Sequence, residues 1–87
     1  MINVKQSLDA LSQIVGISDI YETPETFLMS YKNFKCCVTF KNNIITIRLN
    51  SNNCDFVRSW SLKKQENEAS FIEDVKFFLK DTERKIA

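Results

Sequence analysis

Between residues 27 and 62 the hydrophobic positions of this chain recur at every second residue, and on both sides of that stretch they recur at spacings of three and four. A period of two belongs to strands with one buried face, and the mixed spacing to helices with one apolar stripe. Near the N-terminus, Val4, Leu8, Leu11 and Val15 predict one amphipathic helix. Asn3 caps it in a capping box with Gln6, and Gly16, the only glycine, suits the left-handed position that ends a helix. Residues 17 to 26 mix Ile17, Ile20 and Tyr21 with Asp19, Glu22, Thr23 and Pro24, which reads as a short extended segment followed by a loop.

The alternating stretch divides into strands over 27 to 31, 34 to 41, 44 to 49 and 54 to 62. The turns fall at Lys32-Asn33, Asn42-Asn43 and Asn50-Ser51-Asn52-Asn53, and asparagine tolerates the positive φ of tight hairpins. They set Tyr31, Met29 and Phe27 against Phe34, Cys36 and Val38. Phe40, Val38 and Cys36 then face Ile45, Ile47 and Leu49, while Leu49 and Ile47 face Cys54 and Phe56. Every rung is apolar on apolar, and a one-residue slip would invert a whole face, so the three turns together define one buried face. The other face is rich in Ser, Thr, Lys and Arg, with Arg48 beside Asp55 and Thr39, Thr46 and Val57 in line.

After a polar connection at 63 to 68, Phe71, Ile72, Val75, Phe78, Leu79 and Ile86 form one helical stripe. Asn67 or Ser70 caps this helix; acids gather early and bases late, as the helix dipole prefers. The predicted architecture is α+β: an N-terminal helix, a four-stranded antiparallel meander with room for a fifth short strand, and a C-terminal helix in a two-layer sandwich. Trp60 and Leu62 run past the Asn42-Asn43 turn and need cover from the C-terminal helix, the 17 to 26 segment or a partner, the helix being favoured. Arg58 continues the inward alternation of Phe56 and Trp60, so it either snorkels at the rim or is turned out by a bulge.

Eighty-seven residues, 44% of them hydrophobic, make one domain with a modest core and no room for a second. The chain holds no histidine, one glycine, Gly16, and one proline, Pro24; the first absence removes the side chain that titrates near neutrality, and the scarcity of glycine the loops that cradle phosphate. A formal charge of +1 argues against a dedicated nucleic-acid binder and an acidic mimic alike. The N-terminal residues lack the pattern of a signal peptide, and no apolar run reaches membrane-spanning length. Three cysteines without an N-x-S/T site fit free thiols in a reducing cytoplasm. Abundant Lys, Asn, Ile and Phe are associated with AT-rich genomes such as those of low-GC bacteria and their phages.

Cys36 and Cys54 share the buried face two strands apart, about 9.6 Å, beyond the roughly 7 Å Cα limit for a disulfide. Cys36 and Cys37 point to opposite faces and cannot share a metal, and no histidine completes a zinc set, so neither metal nor cofactor is expected. Cys37 is accessible but has no general base beside it. Ser61-Leu62-Lys63-Lys64 matches S-x-x-K without that chemistry's companion motifs, and Glu73-Asp74 and Glu22/Glu25 read as solvated acids.

Two surfaces remain. Phe77 falls well off the apolar arc of its helix, among Glu73, Lys76, Lys80 and Asp81, and with Lys80 and Trp60 forms the candidate protein interface. Lys32, Lys35, Lys41 and Arg48 form the candidate nucleic-acid footprint on the outer sheet face, without exposed aromatics for bases to stack on. The expected function is that of a small non-enzymatic protein-binding domain, an inhibitor, immunity protein or adaptor, of a size and composition found among phage anti-defence proteins. The alternative is nucleic-acid binding by the sheet. An edge strand also leaves self-pairing into a homodimer open.

Overall fold

The computed structural model describes residues 1–22, 26–32, 34–51 and 54–86. Helix α1 (Val4–Ser12) leads into strands β1 (Ile17–Glu22), β2 (Thr26–Tyr31), β3 (Phe34–Lys41), β4 (Ile44–Ser51) and β5 (Cys54–Ser61). A single 3-10 turn, Leu62–Lys64, precedes helix α2 (Glu68–Ile86). Among the described residues the strands form one antiparallel sheet in sequential order, so the segment after α1 is a full fifth strand. Pro24, Asn33, Asn52 and Asn53, which the sequence pattern assigns to a loop and turns, lie outside the described residues, as does the side chain of Ile86.

The capping box forms: the Gln6 amide donates to Asn3 Oδ1 at 2.8 Å and the Asn3 amide to Gln6 Oε1 at 2.9 Å. The helix stops at Ser12, earlier than the hydrophobic spacing suggests, and the buried stripe is Ser7, Ala10, Leu11 and Ile14 rather than Val4 and Val15, which are exposed. Small Ser7 and Ala10 let α2 pack closely on α1, and the Ser7 hydroxyl is satisfied by donating to the Val4 carbonyl at 2.6 Å. Gly16 therefore does not cap α1. It enters β1 with φ +98°, its carbonyl accepts from the Lys32 amide at 3.0 Å, and a Cβ there would sit 3.1 Å from the Tyr31 ring. Both a positive φ and a close approach require glycine at this position.

Two of the three expected registers hold: Tyr31 faces Phe34, Met29 faces Cys36, Phe40 faces Ile45 and Val38 faces Ile47. Asn42 and Asn43 have φ of 52° and 63°, the positive pair that a type I′ hairpin needs. The third register is displaced by two residues. β4 continues through Ser51, so Leu49 faces Phe56, Ile47 faces Arg58 and Ile45 faces Trp60, while Arg48 lies opposite Val57 instead of Asp55. A slip of two keeps every side chain on its face and brings Trp60 over the sheet instead of past its end. The Leu62 amide donates to the Asn43 carbonyl at 2.8 Å, and Thr46 Oγ1 shares a 2.7 Å hydrogen bond with Ser59 Oγ.

Both helices contribute to one core with the inner sheet face, making two layers. The Trp60 ring stands edge-on to Phe71 and Phe78, with centroids 6.1 and 5.7 Å away, and the Tyr31 hydroxyl reaches Glu83 at 3.2 Å. α2, capped by Asn67 Oδ1 accepting from the Ser70 amide, thus crosses the sheet from β5 to β2. Substituting Gly16→Ala is expected to destabilise the fold by roughly 1–3 kcal/mol in urea denaturation. Parental stability in that variant would contradict the close approach to Tyr31.

Candidate functional site

The cysteines are held apart. Cys36 faces Leu49 and Cys54 faces Ser51, and among the described residues no group of three or more Cys, Asp or Glu converges as metal ligands do. Burial pushes the Cys36 thiol up to about 12, so it is protonated at neutral pH; Cys37 is half-buried and Cys54 exposed. Ser61 ends β5 and is followed by a single 3-10 turn, not by the α-helix that S-x-x-K chemistry needs.

On α2 the buried stripe of Phe71, Val75, Phe78, Leu79 and Thr82 leaves Phe77 on the opposite side, 61% exposed. With Lys80, Glu83 and Arg84 it lines an open groove of about 660 Å³. Around it, Lys76 pairs with Glu73 at 3.9 Å, and Arg84 and Lys85 pair with Asp81 at 3.4 and 3.1 Å. Lys80 has no ion pair among the described residues. Trp60, placed beside Phe77 and Lys80 by sequence, is instead only 5% exposed and belongs to the core beneath this helix.

Lys32 also departs from its expected surface. It leaves the β2–β3 turn with φ 53° and reaches Glu83 at 2.7 Å, on the helical side. The hydrogen bond from Lys32 holds the Glu83 carboxyl below its ordinary 4.5, and the same bond holds Lys32 above 10.5. Burial, reinforced by the Glu83 charge, raises the Tyr31 hydroxyl. A carboxyl with a depressed pKa contributes stability above its ordinary range and loses it as pH falls through the folded value.

The outer sheet face is organised in rungs. One crosses all five strands as Tyr21, Leu28, Cys37, Arg48 and Val57; beside it runs Thr26, Thr39, Thr46 and Ser59, and on its other side Ser18, Ser30, Lys35, Asn50 and Asp55. Tyr21 is the residue that sequence alternation misses. The β1–β2 register shifts between Ser18 and Tyr21, and the extra residue there moves Tyr21 from the side of Ile17 to that of exposed Leu28, leaving it 65% exposed. Lys35, Lys41 and Arg48 are exposed and have no ion pair among the described residues.

Each sheet edge carries a device that discourages pairing with another strand. β1 has its bulge, and β5 carries Arg58 on the core side, where the guanidinium sits 5.4 Å from the centre of the Trp60 ring. Arg58 thus snorkels over Trp60 without a bulge in β5. Among the described residues no helix is long and apolar enough to cross a membrane. No family model, no curated protein and no solved structure matches this chain.

Two outcomes follow from this geometry. Under an alkylating reagent, Cys54 is expected to react first, Cys37 more slowly and Cys36 only on unfolding, as read by mass spectrometry; early labelling of Cys36 would contradict the inner-face register. The melting temperature of Glu83→Gln is expected to fall below that of the parent at neutral pH, and the gap to close as pH falls below the ordinary carboxyl value of 4.5 and through the lowered folded value, where the parent carboxyl protonates. A gap that persists in acid would mean that the loss does not come from the ion pair.

Proposed function

We propose that this chain is a non-enzymatic protein-binding domain of the inhibitor, immunity or adaptor kind, engaging its partner through the outward face of α2. The observation that carries this reading is Phe77, a large aromatic exposed in an open groove that it lines together with Lys80, Glu83 and Arg84. Leaving such a ring in water forgoes roughly 1.5–3 kcal/mol of burial, and aromatic residues with charged rims are typical of the energetic centre of interfaces. Phe77 is the anchor in this reading, and Lys80, unpaired among the described residues, supplies a charge for the partner to meet. Trp60 serves indirectly by holding α2 in place. Free thiols and the AT-rich residue usage accord with action inside a bacterial cell, on the side of a phage or mobile element.

The test is affinity capture from a lysate of the organism that encodes the chain, with and without nuclease, using the parent and Phe77→Glu. A stoichiometric protein that survives nuclease and is lost with Phe77→Glu is the expected result, with truncation to Ala weakening binding by roughly thirtyfold or more. Because Phe77 is exposed, both variants should melt within a few degrees of the parent. A partner retained at full strength by Phe77→Glu would overturn this assignment.

A further inference from the structure

We propose that the outer face of the sheet binds single-stranded nucleic acid, with Tyr21 as the stacking platform and Arg48, Lys35 and Lys41 as the phosphate contacts. Three observations converge on this face. The first is the bulge in β1. Without it Tyr21 would share the inner side with Ile17; with it the ring lies on the outer rung that also carries Leu28, Cys37 and Arg48. Bulges are commonly placed where a side chain must be re-aimed, and this one delivers an aromatic ring to a surface otherwise without one among the described residues.

The second observation is the distribution of paired charge. On the helical side Lys32, Lys76, Arg84 and Lys85 each lie within ion-pair distance of a carboxylate and Lys80 does not, whereas none of Lys35, Lys41 and Arg48 does among the described residues. Asp55 is the only acid in these outer rungs, so among the described residues the rungs with Lys41 carry an excess of two positive charges within a nearly neutral chain. That excess suits a polyanion and repels a second copy of the same face.

The third observation is spacing. Tyr21 and Arg48 lie three strand spacings apart on one rung, about 14 Å, roughly four nucleotides at the rise of a stacked strand. Lys35 occupies the neighbouring rung on the same strand as Cys37, and hydroxyls of Thr39, Thr46 and Ser59 line the other side. A sheet face with one ring, a row of hydroxyls and three cations offers stacking and phosphate contacts with little base-edge readout, so binding should tolerate many sequences.

The experiment is fluorescence anisotropy with labelled oligo(U) and oligo(dT) of about 12 nucleotides, and a DNA duplex of equal length, at low salt. At least one single strand is expected to bind better than the duplex, with log affinity falling against log salt at a slope of roughly −2 if three phosphates are neutralised. Tyr21→Ala should weaken that binding roughly five- to a hundredfold while Tyr21→Phe retains it, and Lys35→Glu with Arg48→Glu should abolish it. All these positions are exposed, and unchanged circular dichroism would verify that the variants fold. Phe77→Glu should leave oligonucleotide binding intact, which separates this site from the α2 interface. Failure of both strands to bind, equal affinity for the duplex, or indifference to Tyr21→Ala would each overturn the proposal, the first implying that a protein covers the apolar part of this rung.

Discussion

The contact of Trp60 with Ile45 on one side and Phe71 and Phe78 on the other is the interaction on which the rest of this fold depends. It joins the last strand to the last helix, and Ile45, Phe71 and Trp60 are all buried. Burying a ring of this size is worth roughly 4–6 kcal/mol as an upper figure, a large share of the 5–15 kcal/mol by which domains are stable. The indole Nε1 is buried with no hydrogen-bond partner among the described residues, at a cost of roughly 1–3 kcal/mol. Packing outweighs that loss, which explains why β5 adopts the register that covers Trp60 even though it sets Arg58 opposite Ile47.

With α2 fixed at β5 by Trp60 and at β2 by the Tyr31–Glu83–Lys32 cluster, the inner face closes and two surfaces stay open. They differ in chemistry. The α2 surface pairs Lys76, Arg84 and Lys85 with its own acids, leaves Lys80 without an ion pair among the described residues, and presents one aromatic ring in a groove, which suits a partner that supplies a cavity or apolar patch. The outer sheet surface shows Lys35, Lys41 and Arg48 without ion pairs among the described residues.

Much of this arrangement is legible in the residues, and the exceptions have physical reasons. The Asn42-Asn43 turn fixes its hairpin because both residues accept positive φ, and Phe77 stands out because the helical period excludes it from the apolar arc. The β4–β5 register is harder, because four successive polar residues at 50 to 53 give no apolar marker for where the strand ends, and a slip of two leaves every face unchanged. Tyr21 is hidden for the complementary reason: a bulge adds one residue to the period of two, so alternation places the ring on the wrong side. The role of Gly16 depends on the distant ring of Tyr31, which no local pattern contains.

Close proton–proton contacts between β4, β5 and α2, read by nuclear magnetic resonance, report on the packing of Trp60. The Trp60 packing predicts cross-strand contacts of Ile45 with Trp60 and of Leu49 with Phe56, together with contacts from the indole to Phe71 and Phe78. Contacts of Leu49 with Cys54 and of Ile47 with Phe56, with an indole remote from Ile45, would contradict it.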